Sequence, residues 1–191
     1  MTNSDCDKRT VILDAALQLF SENGFHGTPM TLLAEKANVG IGTIYRYFKN
    51  KEEVISNLYK ELKSESVAAM RENISRDMPI REQFINIFEN MLKYYIANPQ
   101  KFLFMEQYSY SPFINSSTKQ EVCSAYAESL VSFFEYGKKH QVIKDLSTQI
   151  IFATANGQVV SLAKMHIAGE INLNDDMIRK AIETSWDALK R

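Results

Sequence analysis

The sequence predicts an all-α fold of about nine helices. Apolar residues recur at three- and four-residue spacing along most of the 191 residues, and no useful stretch alternates as a half-buried strand would. Only 7 Gly and 4 Pro are present, so turns should be few and the elements long. Hydrophobic residues make up 45% and charged residues 24%, which is typical of a folded globular protein.

The first two predicted helices are separated by a glycine-containing stop. Helix one covers residues 8–22, and Asn23-Gly24 ends it, since glycine readily adopts the left-handed backbone found at helix ends. The second helix begins at Thr28 and Pro29. Threonine is a common N-cap, and proline suits the first helical position, where its missing N–H has no helical partner to lose.

A tight turn precedes the third predicted helix. Asn38 and Gly40 tolerate left-handed backbone angles, and a short helix follows from about Ile41 to Phe48. Ile44 and Phe48 stand four residues apart, so both would pack inward on one face. Two short helices joined by a tight turn and supported by a preceding helix describe a helix-turn-helix unit. In that unit the second helix enters the major groove of DNA.

Six longer helices are predicted after a boundary near residue 50. The first has Asn50 as its N-cap and Glu53 at the capping-box position three residues on. Gly169 should stop the eighth helix and Asn174 should cap the ninth. No flexible linker marks the boundary, so the fourth helix is expected to belong to both parts. The six predicted ranges are about 51–73, 79–97, 99–110, 118–139, 147–168 and 175–189.

Cations and aromatic residues cluster at the third helix. The whole chain has a net charge of −1, so a nucleic-acid site would have to be a local patch. No Asp or Glu occurs between Lys36 and Lys51. Arginine can fork onto guanine or phosphate, and glycines at 40 and 42 would let the backbone approach DNA. The candidate contacts are Thr43, Tyr45, Arg46, Tyr47, Lys49 and Lys51.

Each of these candidates also has an ordinary interpretation. The tyrosines could be half-buried edges of the core with a solvated hydroxyl. Arg46 and Lys49 could be solvated surface residues. The turn glycines could serve backbone geometry alone. It is the joint arrangement that indicates DNA binding.

Residues 8–54 resemble the DNA-binding domain of the TetR family of bacterial repressors. The matching stretches are ALQLFSENGFHGT at 16–28 and LLAEKANVGIGTIYRYFKNKEEV at 32–54. The resemblance implies a helix-turn-helix domain over residues 1–50, with Thr31 and Lys51 as phosphate contacts at its rims. The chain departs from the family at Asn38, where glycine is usual. It departs again at Gly40-Ile41, which replaces Ser-Lys or Ser-Pro and removes one common phosphate donor and one common cation.

Residues 51–191 match that family only in architecture. The resemblance implies a ligand-binding and dimerisation domain, with the last two helices forming a homodimer interface. A two-fold dimer would read two half-sites of a palindromic DNA operator. The alternative is that the last helix only closes the core of a monomer. The candidate interface residues are Ala153, Gly157, Ser161, Ile178, Ile182 and Trp186.

Aromatic and methionine side chains are abundant in the middle helices. Such a stripe is typical of a core, but its size exceeds what a slim bundle needs, and flexible methionines suit a roomy apolar cavity. Members of the resembled family usually bind a small inducer in this region. The candidate ligand-binding residues are Phe88, Met91, Tyr95, Met105, Tyr108, Tyr126 and Phe133, with Asn156 as a polar group to orient the ligand.

Catalysis has little support in the sequence. The 3 His are scattered, and no HExxH, GxSxG or phosphate-loop motif is present, so we expect no enzyme activity, metal or cofactor. No apolar run has the length of a signal peptide or a membrane span. Cys6 and Cys123 lie far apart, which fits a reducing cytoplasm.

Three functions remain open from the sequence. The first is a repressor released from its operator by a small apolar or amphipathic inducer. The second is a DNA-binding regulator of the same fold that acts through a protein partner without small-molecule control. The third is an all-α enzyme or carrier that uses an aromatic cavity. DNA binding by the purified protein would separate the first two from the third.

Overall fold

A computed structural model describes residues 3–75 and 77–191, apart from the side chains of residues 3–7, 123 and 125–129. This part of the chain is all-α, as predicted, with nine helices and no strand. Ile143 and Lys190 form an isolated antiparallel bridge. The helices are α1 (Asn3–Asn23), α2 (Met30–Lys36), α3 (Ile41–Tyr47), α4 (Lys51–Met70), α5 (Ile80–Ala97), α6 (Pro99–Tyr108), α7 (Ser116–Lys139), α8 (Thr148–Ile167) and α9 (Asp175–Leu189).

Left-handed residues end or separate helices at the predicted places. Gly24 follows α1 with φ +68°, and Gly169 follows α8 with φ +75°. Asn38 has φ +52° in the turn between α2 and α3. Asparagine is among the few residues other than glycine that adopt this region readily. It therefore makes the turn at the position where the resembled family usually has glycine.

The start of α2 differs from the prediction. The helix begins at Met30, and Pro29 occupies the N-cap position with no side-chain cap. Thr28 is buried, and its hydroxyl donates to the carbonyl oxygens of Leu19 at 3.2 Å and Gly24 at 2.9 Å. Thr28 therefore satisfies carbonyl groups at the end of α1 and does not cap α2.

Side chains cap α4 and α9 as predicted. Asn50 Oδ1 accepts from the Glu53 N–H at 2.8 Å, and the Glu53 carboxylate accepts from the Lys49 N–H at 2.5 Å. The return bond thus reaches one residue further back than in the usual capping box. Asn174 Oδ1 accepts from the Met177 N–H at 2.9 Å. Both caps satisfy N–H groups that the helix itself leaves without a partner.

The chain divides into two compact units. The first holds the residues up to Ser64 together with Gln100–Val122, and the second holds Glu65–Pro99 together with Cys123–Arg191. The first unit includes α1–α3, most of α4, nearly all of α6 and the start of α7. Helices α5, α8 and α9 pack together within the second unit. The division into domains at residue 50 stays a prediction.

Three of the predicted interface residues lie on the last helix, and their part in a dimer stays a prediction. Ile178, Ile182 and Trp186 are buried in the single chain, and the Trp186 ring lies 5.3 Å from the Phe84 ring of α5. Helix α9 packs on α5 of the same chain, and these three side chains lie on its buried side. The other predicted interface residues, Ala153, Gly157 and Ser161, are exposed on α8.

Across the residues that the structure describes, no helix is long and apolar enough to cross a membrane.

Candidate nucleic-acid interface

Helix α3 is held by an apolar inner face. Ile44 and Phe48 are both buried, as their four-residue spacing predicts. The helix closes at its start with a 2.8 Å hydrogen bond from the Thr43 N–H to the Gly40 carbonyl. The Phe48 N–H bonds the Ile44 carbonyl at its end. On this short helix the side chains of Ile41, Tyr45 and Arg46 are left exposed.

The predicted contact residues lie on or beside this outer side of α3. Tyr45 is 53% exposed, and Arg46 and Lys49 are also exposed. Thr43 and Tyr47 are half-buried, and Thr31 is exposed on α2. Tyr45 is therefore accessible to a partner, and its contact with DNA stays a prediction.

Arg46 and Tyr47 form a pair on α3. The Arg46 guanidinium donates to the Tyr47 hydroxyl at 2.8 Å and lies 4.9 Å from the centre of the Tyr47 ring. A cation over an aromatic face is attracted to it, and the hydrogen bond adds direction. This pairing therefore orients the Arg46 side chain, whose planar guanidinium can make paired hydrogen bonds to guanine or phosphate.

Lys51 is more enclosed than a simple surface cation. It is half-buried, its ammonium donates to the Phe25 carbonyl at 2.8 Å, and Nζ lies 4.3 Å from the centre of the Phe25 ring. An ammonium group has three donors, so this bond uses one of them. Lys51 thus joins the start of α4 to the turn between α1 and α2.

Neither glycine at the start of α3 is required by the protein's own packing. Gly40 has φ −65° and ψ 145°, which any residue can adopt. A Cβ at position 40 would meet only Thr43 Oγ1 at 3.9 Å, and a Cβ at position 42 would meet nothing within 4 Å. The interpretation of these glycines as turn geometry alone is therefore not supported.

The candidate ligand-binding residues are mostly interior. Tyr126 lies outside the described side chains. Phe133 and Asn156 are half-buried. The buried ones are Phe88, Met91 and Tyr95 of α5 in the second unit, and Met105 and Tyr108 of α6 in the first unit.

Tyr108 has a structural contact that the sequence did not indicate. Its hydroxyl donates to the Phe20 carbonyl near the end of α1 at 3.3 Å. Burial raises the pKa of the Tyr108 phenol, and a backbone hydrogen bond at Phe25 opposes that shift. A neutral Tyr108 therefore fastens α6 to α1 across 88 residues of sequence.

Arg9 is a second residue that the sequence did not reveal. Its guanidinium contacts the Glu61 carboxylate, donates to Asn57 Oδ1 at 3.0 Å, and lies 5.7 Å from the centre of the Phe48 ring. Arg9 thus joins α1 to α4 beside the residue that ends α3. A separation of 52 residues leaves no local pattern for such a pair.

The family comparisons match both parts of the chain. The family described as "Bacterial regulatory proteins, tetR family" matches residues 12–58. The family described as "Tetracyclin repressor-like, C-terminal domain" matches residues 79–190. The second match covers more than half of the chain, in the region where sequence inspection found only similar architecture.

Individual relatives and solved structures agree with these matches. An "uncharacterized HTH-type transcriptional regulator" of Haemophilus influenzae is 25% identical over 192 residues, covering 100% of both chains. A TetR-family protein of Vibrio parahaemolyticus has a TM-score of 0.82 at 30% identity, covering 96% of this chain and 99% of that one.

One similar structure holds a ligand. The transcriptional regulator FadR from Bacillus subtilis, solved in complex with stearoyl-CoA, has a TM-score of 0.74 at 19% identity and covers 93% of this chain and 95% of its own. That identity supports similarity of fold alone. Together with the exposed face of α3, the two family matches show that this chain belongs to the TetR family of bacterial transcriptional regulators.

Proposed function

We propose that the protein is a homodimeric repressor that leaves a palindromic operator when a small apolar or amphipathic inducer binds. The observation that carries the proposal is the outer side of α3, where Tyr45 and Arg46 are exposed and Arg46 pairs with the half-buried Tyr47. Ile44 and Phe48 fix this helix from its buried side. We place this activity in the bacterial cytoplasm, where the operator DNA lies.

DNA recognition divides between base edges and phosphates. Arg46 is the candidate for a guanine edge, and Thr43, Tyr45 and Tyr47 are candidates for bases or nearby phosphates. Cations beside α3 serve the backbone, with Lys49 exposed and Lys51 held at Phe25. The logarithm of the binding constant falls linearly with the logarithm of the salt concentration, and the steepness of this fall is called the salt slope. Each phosphate contact should add roughly 0.9 to the salt slope. Thr31, exposed on α2, is the proposed contact at the rim.

The exposed side of α8 is the proposed dimer surface. Ala153, Gly157 and Ser161 follow one another at four-residue spacing, which places them on one face of the helix. Ile150 is 54% exposed and Met165 36% exposed on the same helix. Small residues let two helices approach closely. Burial of exposed apolar side chains against a second copy would lower the free energy of the pair. A two-fold pair built here would present two copies of α3 to one operator.

The inducer class rests on composition and on one relative. Aromatic and methionine side chains fill α5 and α6, and such residues suit an apolar ligand. The stearoyl-CoA bound to the Bacillus subtilis FadR supports long-chain acyl thioesters as the first class to test. Any inducer must bind the DNA-incompetent state more tightly than the DNA-bound state. By linkage, operator DNA must then weaken inducer binding by the same factor.

Selection of duplexes from a random library by the purified protein tests the DNA function. We expect one palindrome to be recovered, and we expect Tyr45→Ala and Arg46→Ala to lose it. Tyr110→Ala is the matched control, since Tyr110 is 96% exposed but lies beyond α6. Salt-sensitive retention of all sequences alike would contradict sequence-specific reading through α3.

Titration of acyl-CoA thioesters against the protein–operator complex tests the inducer function. We expect release of the operator, with a midpoint that depends on acyl-chain length. The same titration without DNA should give tighter binding, because the coupling is reciprocal. Operator affinity unchanged by every apolar or amphipathic compound would instead favour a regulator controlled through a protein partner.

A further inference from the structure

Three rings from two distant parts of the sequence meet within the first compact unit. Phe25, in the turn after α1, stacks on Phe113 with ring centres 4.0 Å apart and planes 10° apart. His26 lies edge-on to both rings, 5.6 Å from Phe25 and 5.2 Å from Phe113. Phe113 belongs to the segment between the end of α6 at Tyr108 and the start of α7 at Ser116.

Lys51 depends on the same Phe25. Its Nζ lies 4.3 Å from the Phe25 ring centre and 2.8 Å from the Phe25 carbonyl oxygen. A lysine side chain is otherwise flexible, and holding it in one place ahead of binding lowers the entropy lost on contact with a ligand. The position of the Lys51 ammonium therefore follows the position of Phe25.

The segment that carries Phe113 is fixed to α4 on both sides. Before it, the Tyr59 hydroxyl donates to Ser109 Oγ at 3.4 Å. After it, the Asn115 N–H donates to Ser56 Oγ at 3.2 Å, and Ser56 is buried. These bonds give Phe113 a defined place relative to the start of α4, which is where Lys51 lies.

We propose that Phe113 is a positioning residue for operator binding, acting through Phe25 to hold the Lys51 ammonium where it meets a DNA phosphate. The inference rests on the proposed function, in which Lys51 contacts phosphate. Phe113 itself touches no DNA. Its ring supports the Phe25 ring, and Phe25 supplies both the aromatic face and the carbonyl that locate Lys51.

The test is the salt dependence of operator affinity in variants of the full-length protein. Phe113→Ala should weaken operator binding about tenfold at moderate salt. It should also lower the salt slope by roughly 0.9 for each protomer, the value of one lost phosphate contact. Phe113→Tyr keeps the ring and should retain both the affinity and the slope. Phe113→Leu keeps apolar volume without a stacking ring and should show the same loss of slope as alanine.

A double-mutant cycle with Lys51→Met identifies the route. Phe113→Leu should change operator affinity little once Lys51 is methionine, because the two changes remove the same contact. Additive losses would overturn the inference, as would a Phe113→Leu variant that melts at a lower temperature but keeps the wild-type salt slope. The inference would also fail if Lys51→Met kept the slope of a wild-type protein that binds its operator specifically. Failure of the wild type to select any duplex would instead count against the proposed function itself.

Discussion

The Arg46 guanidinium of α3 donates to the Tyr47 hydroxyl at 2.8 Å and lies 4.9 Å from the centre of the same ring. Adjacent side chains on a helix do not usually face each other, so this pairing depends on the length of the arginine. The orientation of Arg46, the strongest candidate for contacting a base, is therefore set by Tyr47.

Removal of the Tyr47 hydroxyl should therefore weaken the action of Arg46. Tyr47→Phe keeps the ring and loses the hydrogen bond, so we expect operator binding to fall several-fold. Arg46→Ala should cost roughly 1–3 kcal/mol if the side chain forks onto a guanine. Fluorescence anisotropy with the selected operator and its single-base variants would measure both. Fully additive effects in the double variant would contradict the pairing.

Gly42→Ala should stabilise the protein and weaken operator binding. Position 42 is helical, a Cβ there meets nothing within 4 Å, and alanine in a helix is favoured over glycine by roughly 0.5–1 kcal/mol. Urea unfolding would measure the gain and anisotropy the loss. Gly24→Ala is a matched control, since it has equal space but φ +68°, and it should destabilise. A Gly42→Ala variant with unchanged operator affinity would show that no DNA approaches this position.

Glu89 should make stability depend on pH in a predictable direction. Its side chain is 13% exposed and lies 3.5 Å from Arg179, and Oε1 has no hydrogen-bond partner among the described residues. Burial raises the pKa of Glu89, and the charges of Arg179 and Lys93 oppose this only in part. An acid with a raised folded pKa adds stability below its unfolded pKa, and that stability is lost as pH rises through the folded value.

Glu89→Gln should consequently be more stable than the wild type at neutral pH, with an advantage that shrinks as the pH falls. Urea unfolding at a series of pH values would measure it. Glu135→Gln is the control of opposite sign, because hydrogen bonds from Lys138 and Thr148 lower the pKa of Glu135. That variant should lose a little stability at neutral pH and none in acid. If the free energies of unfolding of Glu89→Gln and wild type differed by a constant amount across pH, a raised pKa for Glu89 would be contradicted.

Gly157→Arg should separate the proposed dimer. A Cβ at position 157 meets nothing within 4 Å in the single chain, so the protomer should accept the new side chain. Two arginines brought together across a two-fold axis would repel each other and keep the helices apart. Sedimentation velocity should show a monomer and anisotropy a large loss of affinity for the palindrome. Gln120→Arg, at an exposed position of α7, should leave the dimer intact; an intact dimer in Gly157→Arg would place the interface elsewhere.

Features set by neighbouring residues could be predicted from the sequence. The left-handed Asn38, the cap at Asn50 and the inward pair Ile44 and Phe48 each depend on groups within a few positions, and all three are confirmed. The prediction that Thr28 caps α2 was wrong, because the Thr28 hydroxyl has two possible partners close in sequence. The same hydroxyl could cap α2 or bond the end of α1, and only the folded chain decides between them.

Contacts between distant segments could not be predicted in this way. The packing of the Trp186 ring on Phe84 joins two separate helices, so local spacing does not indicate it. The sequence indicates Lys51 as a phosphate contact but not its bond to the Phe25 carbonyl, 26 residues away. Residue types and spacing identify an apolar or charged face, but they do not say which surface covers it.

The composition of the first compact unit limits how this protein can be recombined. Because Gln100–Val122 belongs with the residues up to Ser64, we expect the helix-turn-helix to transfer poorly between relatives when it is moved without that segment. In a chimera that took only residues 1–50 from a relative, the ring that stacks on Phe113 would have to come from that relative. Synthesis on the ribosome has the same consequence. Phe25 leaves the exit tunnel long before Phe113, the ring that stacks on it, has been made. We therefore expect new operator specificities to arise by substitution along α3 more readily than by exchange of the whole helix-turn-helix segment.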